Sequence, residues 1–368
     1  MAVQDKRMSQ KLFFELIQVA IGRRDRLSRM PTAEEWQCLY GEAIKQSLVG
    51  VLMSGVERLY EKDAALKPPM TVFFEWVGNV SQIEESNKRL NDAAAQLKRV
   101  FETGGVRTCV LKGQGVAMLY PEPLRRQPGD IDLWVEGSRA HTLDFLKNSF
   151  LRTGRVVIHH VDAHIIEGVE TEIHFLPSFS YNYFRYIKFK RFFKEEADKQ
   201  FGHFDERLGF AYPTNRFNAV YLMMHIFRHV FHEGIGLRQL LDYYYVLKQL
   251  SEEERQWAYE KLKRLGLETV TGAVMYVLAC VFLLEEKYLL CAPIERYGKF
   301  LLEEISRGGN FGKYDGQYQL VHGKNGLTLY LANLKRLLKV FSLCPSEVLW
   351  APVWKPSHWL WRKYKSYV

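Results

Sequence analysis

Residues 129–135 read GDIDLWV, and the alternation in this stretch decides what kind of chain this is. Successive side chains of a strand point to opposite faces, so Asp130, Asp132 and Trp134 share one face and Ile131, Leu133 and Val135 the other. The apolar set is expected to bury itself against a helical layer. The second set puts two carboxylates side by side on a sheet face, with Cα atoms roughly 6–7 Å apart. Like charges that close repel, and each raises the other's pKa unless a cation lies between them. Mg²⁺ (or Mn²⁺) suits the pair, because it takes one or two carboxylates and completes its shell with waters and phosphate oxygens. Asp130 and Asp132 are therefore read as metal-binding carboxylates. An Asp-x-Asp pair also occurs on plain solvated edges, so the reading depends on what surrounds it.

Upstream, VRTCVLKG is a short β-branched run ending in glycine, consistent with a buried strand. LKGQG (111–115) then closes that strand and opens a short helix whose first N–H groups can meet phosphate. Lys112 adds a point charge, Gly113 permits a ligand close to the backbone, and Gln114 can donate a hydrogen bond. Arg125 or Arg126 is placed to reach a phosphate. Downstream, Ser138 to Phe150 reads as a helix capped by Ser138, and alternating stretches follow at GRVVIHHVDAH and EGVETEIHFLP. In the latter, Glu170, Glu172 and His174 share one face. His159, His160 and His164 are read as exposed strand histidines.

Around this centre the chain reads as helical. LFFELIQVAIG, Ala33–Ile44 and the long segment Phe73–Phe101 space their apolar residues by three and four. Thr32 is the expected N-cap of the second of these, with acids in its first turn. Past Tyr212, strong helical patterns include MMHIFRHVFHEG, GLRQLLDYYYVLKQL and TGAVMYVLACVFLLEE. His225, His229 and His232 fall at i, i+4 and i+7, one helix face turned toward the central cleft. Arg238 and Asp242 have the spacing of a helical ion pair. The tail, WAPVWKPSHWLWRKYKSYV, is aromatic, basic and poorly periodic, and is expected to pack on the helical body. The expected class is α+β: a small mixed-sheet core (105–211) between helical regions at 1–104 and 212–368.

The order of LKG, a short helix, RRQPGDIDLWV and a later carboxylate strand resembles the polymerase-β-type nucleotidyltransferase superfamily. More closely, it resembles a family of uncharacterised bacterial nucleotidyltransferases with an L-K-G turn, an Arg before D-I-D-L, and an E-x-H strand. The resemblance extends to H-x-x-x-H (His225, His229) and to L-R-x-L-x-D (Arg238, Asp242), and so covers most of Val106 to Leu247. It implies that the turn holds a triphosphate, that Asp130 and Asp132 bind divalent metal, and that a third acid assists the acceptor. Glu172 is the best match for that acid, with Glu170 a competitor. Nucleotide contacts are expected from Lys112, Gly113, Gln114, Arg126, His225, His229 and Arg238. The family's turn usually has Ser or Gly after the first glycine, whereas Gln114 stands here.

Composition narrows the alternatives. With 47% hydrophobic and 25% charged residues the chain has a globular rather than a disordered composition. The five cysteines are dispersed, which argues against a disulfide framework and fits a reducing compartment. The N-terminus lacks a signal-peptide pattern, and the longest uncharged run, Val270–Leu284, is too short to span a bilayer. A cytoplasmic protein is expected. The expected activity is transfer of a nucleoside monophosphate from an NTP to a small-molecule or protein acceptor. The alternatives are a non-catalytic nucleotide-binding protein on the same core, or a toxin-like transferase acting on tRNA. The net charge of +9 suits anionic partners, but no recognisable RNA-binding motif supports an RNA.

Overall fold

The computed structural model describes residues 2–149, 151–315 and 327–365. Phe150, where the helix expected from Ser138 would end, and the last three residues of the tail lie outside them. Four helices come first: α1 (Ala2–Ala20), α2 (Ala33–Gln46), α3 (Val49–Lys62) and α4 (Met70–Glu102). Thr32 caps α2 as expected, in a reciprocal capping box with Glu35. The sequence reading passed over α3. Its run VGVLMSGV is buried on nearly every side, so no polar face marks a period.

The core follows as β1 (Thr108–Leu111), α5 (Gly113–Ala117), β2 (Ile131–Val135), α6 (Arg139–Asn148), β3 (Arg152–Val156), β4 (His160–His164), β5 (Thr171–His174) and α7 (Tyr183–Phe201). The five strands form one mixed sheet in the order β1-β2-β5-β4-β3, with β2 and β5 parallel and the other pairs antiparallel. This is the expected α+β fold. Val110, Ile131, Leu133, Val135, Val161, Ala163 and Ile173 bury one sheet face against Leu90, Leu97 and Phe101 of α4 and Leu146 of α6. Cys109, Leu111 and Trp134 face the other way and join a second cluster. There Trp134 packs on Phe193, Phe201 and Phe217. The face that carries the acids is thus covered at one end by aromatics and open at the other.

Helices α8 (Asn215–His232), α9 (Leu237–Lys248), α10 (Glu252–Arg264), α11 (Glu268–Phe282) and α12 (Glu295–Gly308) close over that side. The second cluster also takes in α1, α2 and α3, so the first and last thirds of the chain share one core. Gln46 fastens them: its Nε2 donates to the Ile305 carbonyl at 3.1 Å and its Oε1 accepts from the Leu237 amide at 3.0 Å. Val270–Phe282 is a buried helix of this body. Among the described residues no helix is long and apolar enough to cross a membrane.

The tail departs from expectation, because Pro345–Lys365 is one helix despite Pro352 and Pro356 inside it. Proline removes a helical donor and usually breaks the period. Here Trp354, His358 and Trp361, at i, i+4 and i+7, stack into one continuous face.

Candidate active site

Strand register assembles the site. Asp132 on β2 stands opposite Glu172 on β5, which stands opposite Asp162 on β4; the next row is Trp134, His174 and His160. Residues directly across a ladder point to the same side, so three acids and two histidines lie on one face. Asp130 lies one step before β2, at the mouth. The cavity above this face has a volume of about 190 Å³. Lys112, Gly113, Arg126, Asp130, Asp132, Glu172, His225, His229 and Arg238 all line it, so nine of the ten residues singled out in the sequence meet at one place.

Gln114 is the tenth, and it is elsewhere. Its side chain is buried against α4, where the amide donates to Asn91 Oδ1 at 2.9 Å and Asn87 Oδ1 at 3.3 Å. The bulk that departs from the family pattern therefore points away from the cavity. Gly115 is also structural: a Cβ there would come within 2.7 Å of Tyr212. Gly113 differs, with φ of 36° and open space where its Cβ would stand. Lys112 has φ 52° and ψ −139°, a conformation that costs a non-glycine residue about 1–3 kcal/mol. That turn brings Lys112 Nζ to 2.7 Å from Asp132 Oδ2.

Asp132 is buried and held from both sides, since His174 Nε2 lies 2.8 Å from its Oδ1. Burial alone would raise its pKa, but Lys112 and His174 outweigh that and hold the carboxyl well below its usual range. His174 also contacts Glu172 Oε2 at 3.2 Å. Burial opposes protonation of this imidazole, yet its bonds to Asp132 and Glu172 prevail and raise its pKa. Glu172 is depressed in turn, with His174 overcoming burial and repulsion from Asp132. Asp130 goes the other way. It keeps an exposed edge, and the charge of Asp132, then burial, push it up to about 6.

Oxygen and nitrogen ligand atoms of Asp132, Glu172 and His174 lie within 4.8 Å of one another, a spacing that could hold a metal ion. Asp130 faces the same cavity but stands outside that set. Glu170 is exposed and does not line the cavity, whereas Glu172 does.

The histidines expected on an exposed strand are not so placed. His159 is buried and His160 nearly so; only His164 is exposed. His160 Nδ1 lies 3.3 Å from Glu172 and its Nε2 3.2 Å from Asp162. Burial pushes the His160 pKa down to about 3, so the ring is neutral at pH 7. Arg228, which the sequence reading missed, donates to His159 and, at 3.3 Å, to His229. Its place between His225 and His229 on the cavity face of α8 was the available signal. His232 does not line the cavity; it lies 3.4 Å from Glu233. Phe311, with φ 56°, closes the cavity beside His229, their ring centroids 5.2 Å apart.

Both arginines before β2 are committed elsewhere. Arg125 pairs with Glu57, Glu84 and Glu122, away from the cavity. Arg126 makes a bidentate pair with Asp242, 2.7 Å on each arm. Asp242 is therefore not a partner held by Arg238, as helical spacing had led one to expect. Arg238 instead donates to the carbonyls of Gln127 and Pro128, each at 3.2 Å, and among the described residues its buried Nε has no hydrogen-bond partner. Burial lowers its pKa to about 10, which leaves it charged at neutral pH.

A family model described as "Uncharacterised nucleotidyltransferase" matches residues 32–283. The chain belongs to that family. The match takes in the whole cavity face except Phe311, from the L-K-G turn through the acids to α9. No curated protein and no solved structure matches the chain.

The charges test whether a divalent cation fits. Asp130, Asp132 and Glu172 line one cavity, and repulsion from Asp132 is the largest cause of the raised Asp130 pKa, which a cation between them would relieve. The residues fit. The sign follows from linkage: between the ordinary Asp value of 3.8 and about 6 the folded chain holds more protons than the unfolded one. This group therefore makes the cation-free fold more stable as pH falls across that window, and less stable as pH rises. Added Mn²⁺ should raise the melting temperature more at pH 7.5 than at pH 5, measured by differential scanning fluorimetry. Equal gains at the two pH values would remove Asp130 from the cation site.

Proposed function

We propose that the chain transfers a nucleoside monophosphate from an NTP to a hydroxyl or amine acceptor, on a small molecule or a protein, and releases pyrophosphate. One observation carries the reading: the acids of β2 and β5 face the Lys112–Gly113 turn across a cavity whose far wall supplies Arg228 and Arg238. Asp130 and Asp132 would hold Mg²⁺ or Mn²⁺. When bound, the metal supplies Lewis-acid stabilisation of the charge that develops on the transferring phosphoryl oxygens.

The chain's own residues supply the rest. Gly113 lets the triphosphate approach the backbone, and Lys112 can turn from Asp132 onto a phosphate oxygen. Arg238 meets the anion with a donor that nothing else uses. Neutral His225 and His229 shape the wall without adding charge; burial lowers both, His229 to about 4. The acceptor oxygen or nitrogen attacks the α-phosphorus and the bond to the bridging oxygen breaks. Pyrophosphate leaves with that electron pair, and the acceptor proton passes to the Glu172 carboxylate.

The test is incubation with Mg²⁺ and each of four α-labelled NTPs, over several acceptor classes, with mass spectrometry for a gain of one NMP. Transfer by the native chain and its loss in Glu172→Gln support the reading. Nucleotide binding without transfer, unchanged in Glu172→Gln, would assign a non-catalytic nucleotide-binding role instead. Arg238→Met removes a charge-assisted contact of about 1.5–3 kcal/mol, so KM for the NTP should rise roughly 10- to 100-fold with kcat less affected. A kcat loss at unchanged KM would take Arg238 off the ground-state phosphates.

A further inference from the structure

None of the described residues of the aromatic, basic tail lines the active-site cavity. Against the far end of the sheet the tail encloses a second cavity of about 700 Å³ that shares no lining residue with the first. Asp130 precedes β2, whereas Arg139, in the wall of this second cavity, lies beyond the strand's other end. Phe175, also in that wall, follows β5 on the face opposite Glu172.

One wall is a ladder of rings. Trp354 stacks on His358 with centroids 4.5 Å apart and planes 13° apart, and His358 stacks on Trp361 at 5.4 Å and 18°. Phe179 backs Trp354 at 5.1 Å and 16°. Against this wall lies the Arg139 guanidinium, 4.2 Å from the Trp361 centroid and 5.9 Å from that of Phe175. Among the described residues the buried Arg139 Nε has no hydrogen-bond partner. Burial lowers its pKa, the mark of a charge that lacks a counter-ion. Lys190, on the same rim, lies 5.8 Å from the Tyr186 ring.

Arg139 is half-buried with its Nε covered, and its fork matches a carboxylate or phosphate. The faces of these rings are stacked on one another, so the cavity meets their edges, which take a planar ring edge-to-face. The volume lies within the roughly 300–1,000 Å³ of small-molecule sites. We propose that this cavity is a second binding site, for a small planar aromatic ligand carrying an anionic group. The ligand ring lies edge-to-face against Trp354, His358 and Trp361, whose faces are taken up by one another, by Phe179 and by Arg139, and the anion lies on the Arg139 guanidinium. An aromatic carboxylate and a mononucleotide share that chemistry. The site stands independently of the transfer reaction.

The test is calorimetry on the full-length chain in EDTA, with indole-3-acetate and AMP as probes and their uncharged counterparts indole-3-ethanol and adenosine as controls. At least one acid should bind more tightly than its control. Binding should persist in Asp130→Asn/Asp132→Asn, which separates it from the active-site cavity. Arg139→Gln should weaken the acid about tenfold or more and leave the neutral control unchanged, while Trp361→Ala should weaken both. Which acid binds identifies the source. The proposal is overturned if neither acid binds at millimolar concentration, or if binding is lost in the aspartate variant. It is equally overturned if Arg139→Gln and Trp361→Ala, each with an unaltered melting temperature, leave affinity intact, or if only single-stranded oligonucleotides bind.

Discussion

Asp132→Asn should lower the rate of nucleotidyl transfer by roughly 10³-fold or more, because a single preorganised electrostatic group is commonly worth 10²–10³ and this one does more than one task. Its carboxylate binds Lys112 with one oxygen and His174 with the other, and it anchors the set that could hold a cation. Asparagine keeps the shape but turns one arm into a donor, which must face Lys112 or His174, donors themselves. Lys112 escapes by swinging into the cavity, where its side chain is already 14% exposed, so the fold should survive. Asp130→Asn should cost less, since Asp130 stands at the mouth and outside the closest ligand set. Single-turnover rates at saturating Mg²⁺, with melting temperature as a control on folding, decide the matter. A rate for Asp132→Asn within tenfold of the native chain would remove Asp132 from the chemistry, whatever becomes of Asp130.

The sheet and its acids were legible because strand periodicity is strict. Once GDIDLWV is a strand, Asp132 can face only one way, and ETEIHF places Glu172 by the same rule. What the sequence could not say is which strands are neighbours. The pairing of β4 with β5 puts His160 and Asp162 beside Glu172, and that fact lives in the topology. For the same reason HHVDAH read as solvent-facing, although α8 covers it through Arg228. Gln114 misled differently: a residue in the right turn was assumed to point at the ligand, but a buried amide goes where partners are, and Asn87 and Asn91 lie on α4. Helix α3 hid because burial on all sides erases amphipathic contrast. The tail read as poorly periodic because Pro352 and Pro356 interrupt it, although Trp354, His358 and Trp361 keep i, i+4, i+7 spacing.

Asp242→Ala is expected to destabilise the fold by about 3–5 kcal/mol, the usual cost of stripping the partner from a buried charge. Arg126 is 5% exposed and Asp242 4%, so water cannot replace what is lost. The same carboxylate accepts from the Tyr120 hydroxyl at 2.7 Å, which would be orphaned too. Chemical denaturation reads the loss, and Arg126→Met/Asp242→Leu should recover most of it, since apolar residues of similar size often replace a buried pair at little cost. The double variant also separates two roles for Arg126. With its fork taken by Asp242 and one arm on the Gln127 carbonyl, it holds α9 against the segment that enters β2. It therefore acts on Asp130 through the backbone. Nucleotide affinity should then return with stability in the double variant. If stability returns while the NTP binds tenfold or more weakly than to the native chain, Arg126 itself reaches the phosphates. In that case the pairing with Asp242 is a resting arrangement that substrate displaces.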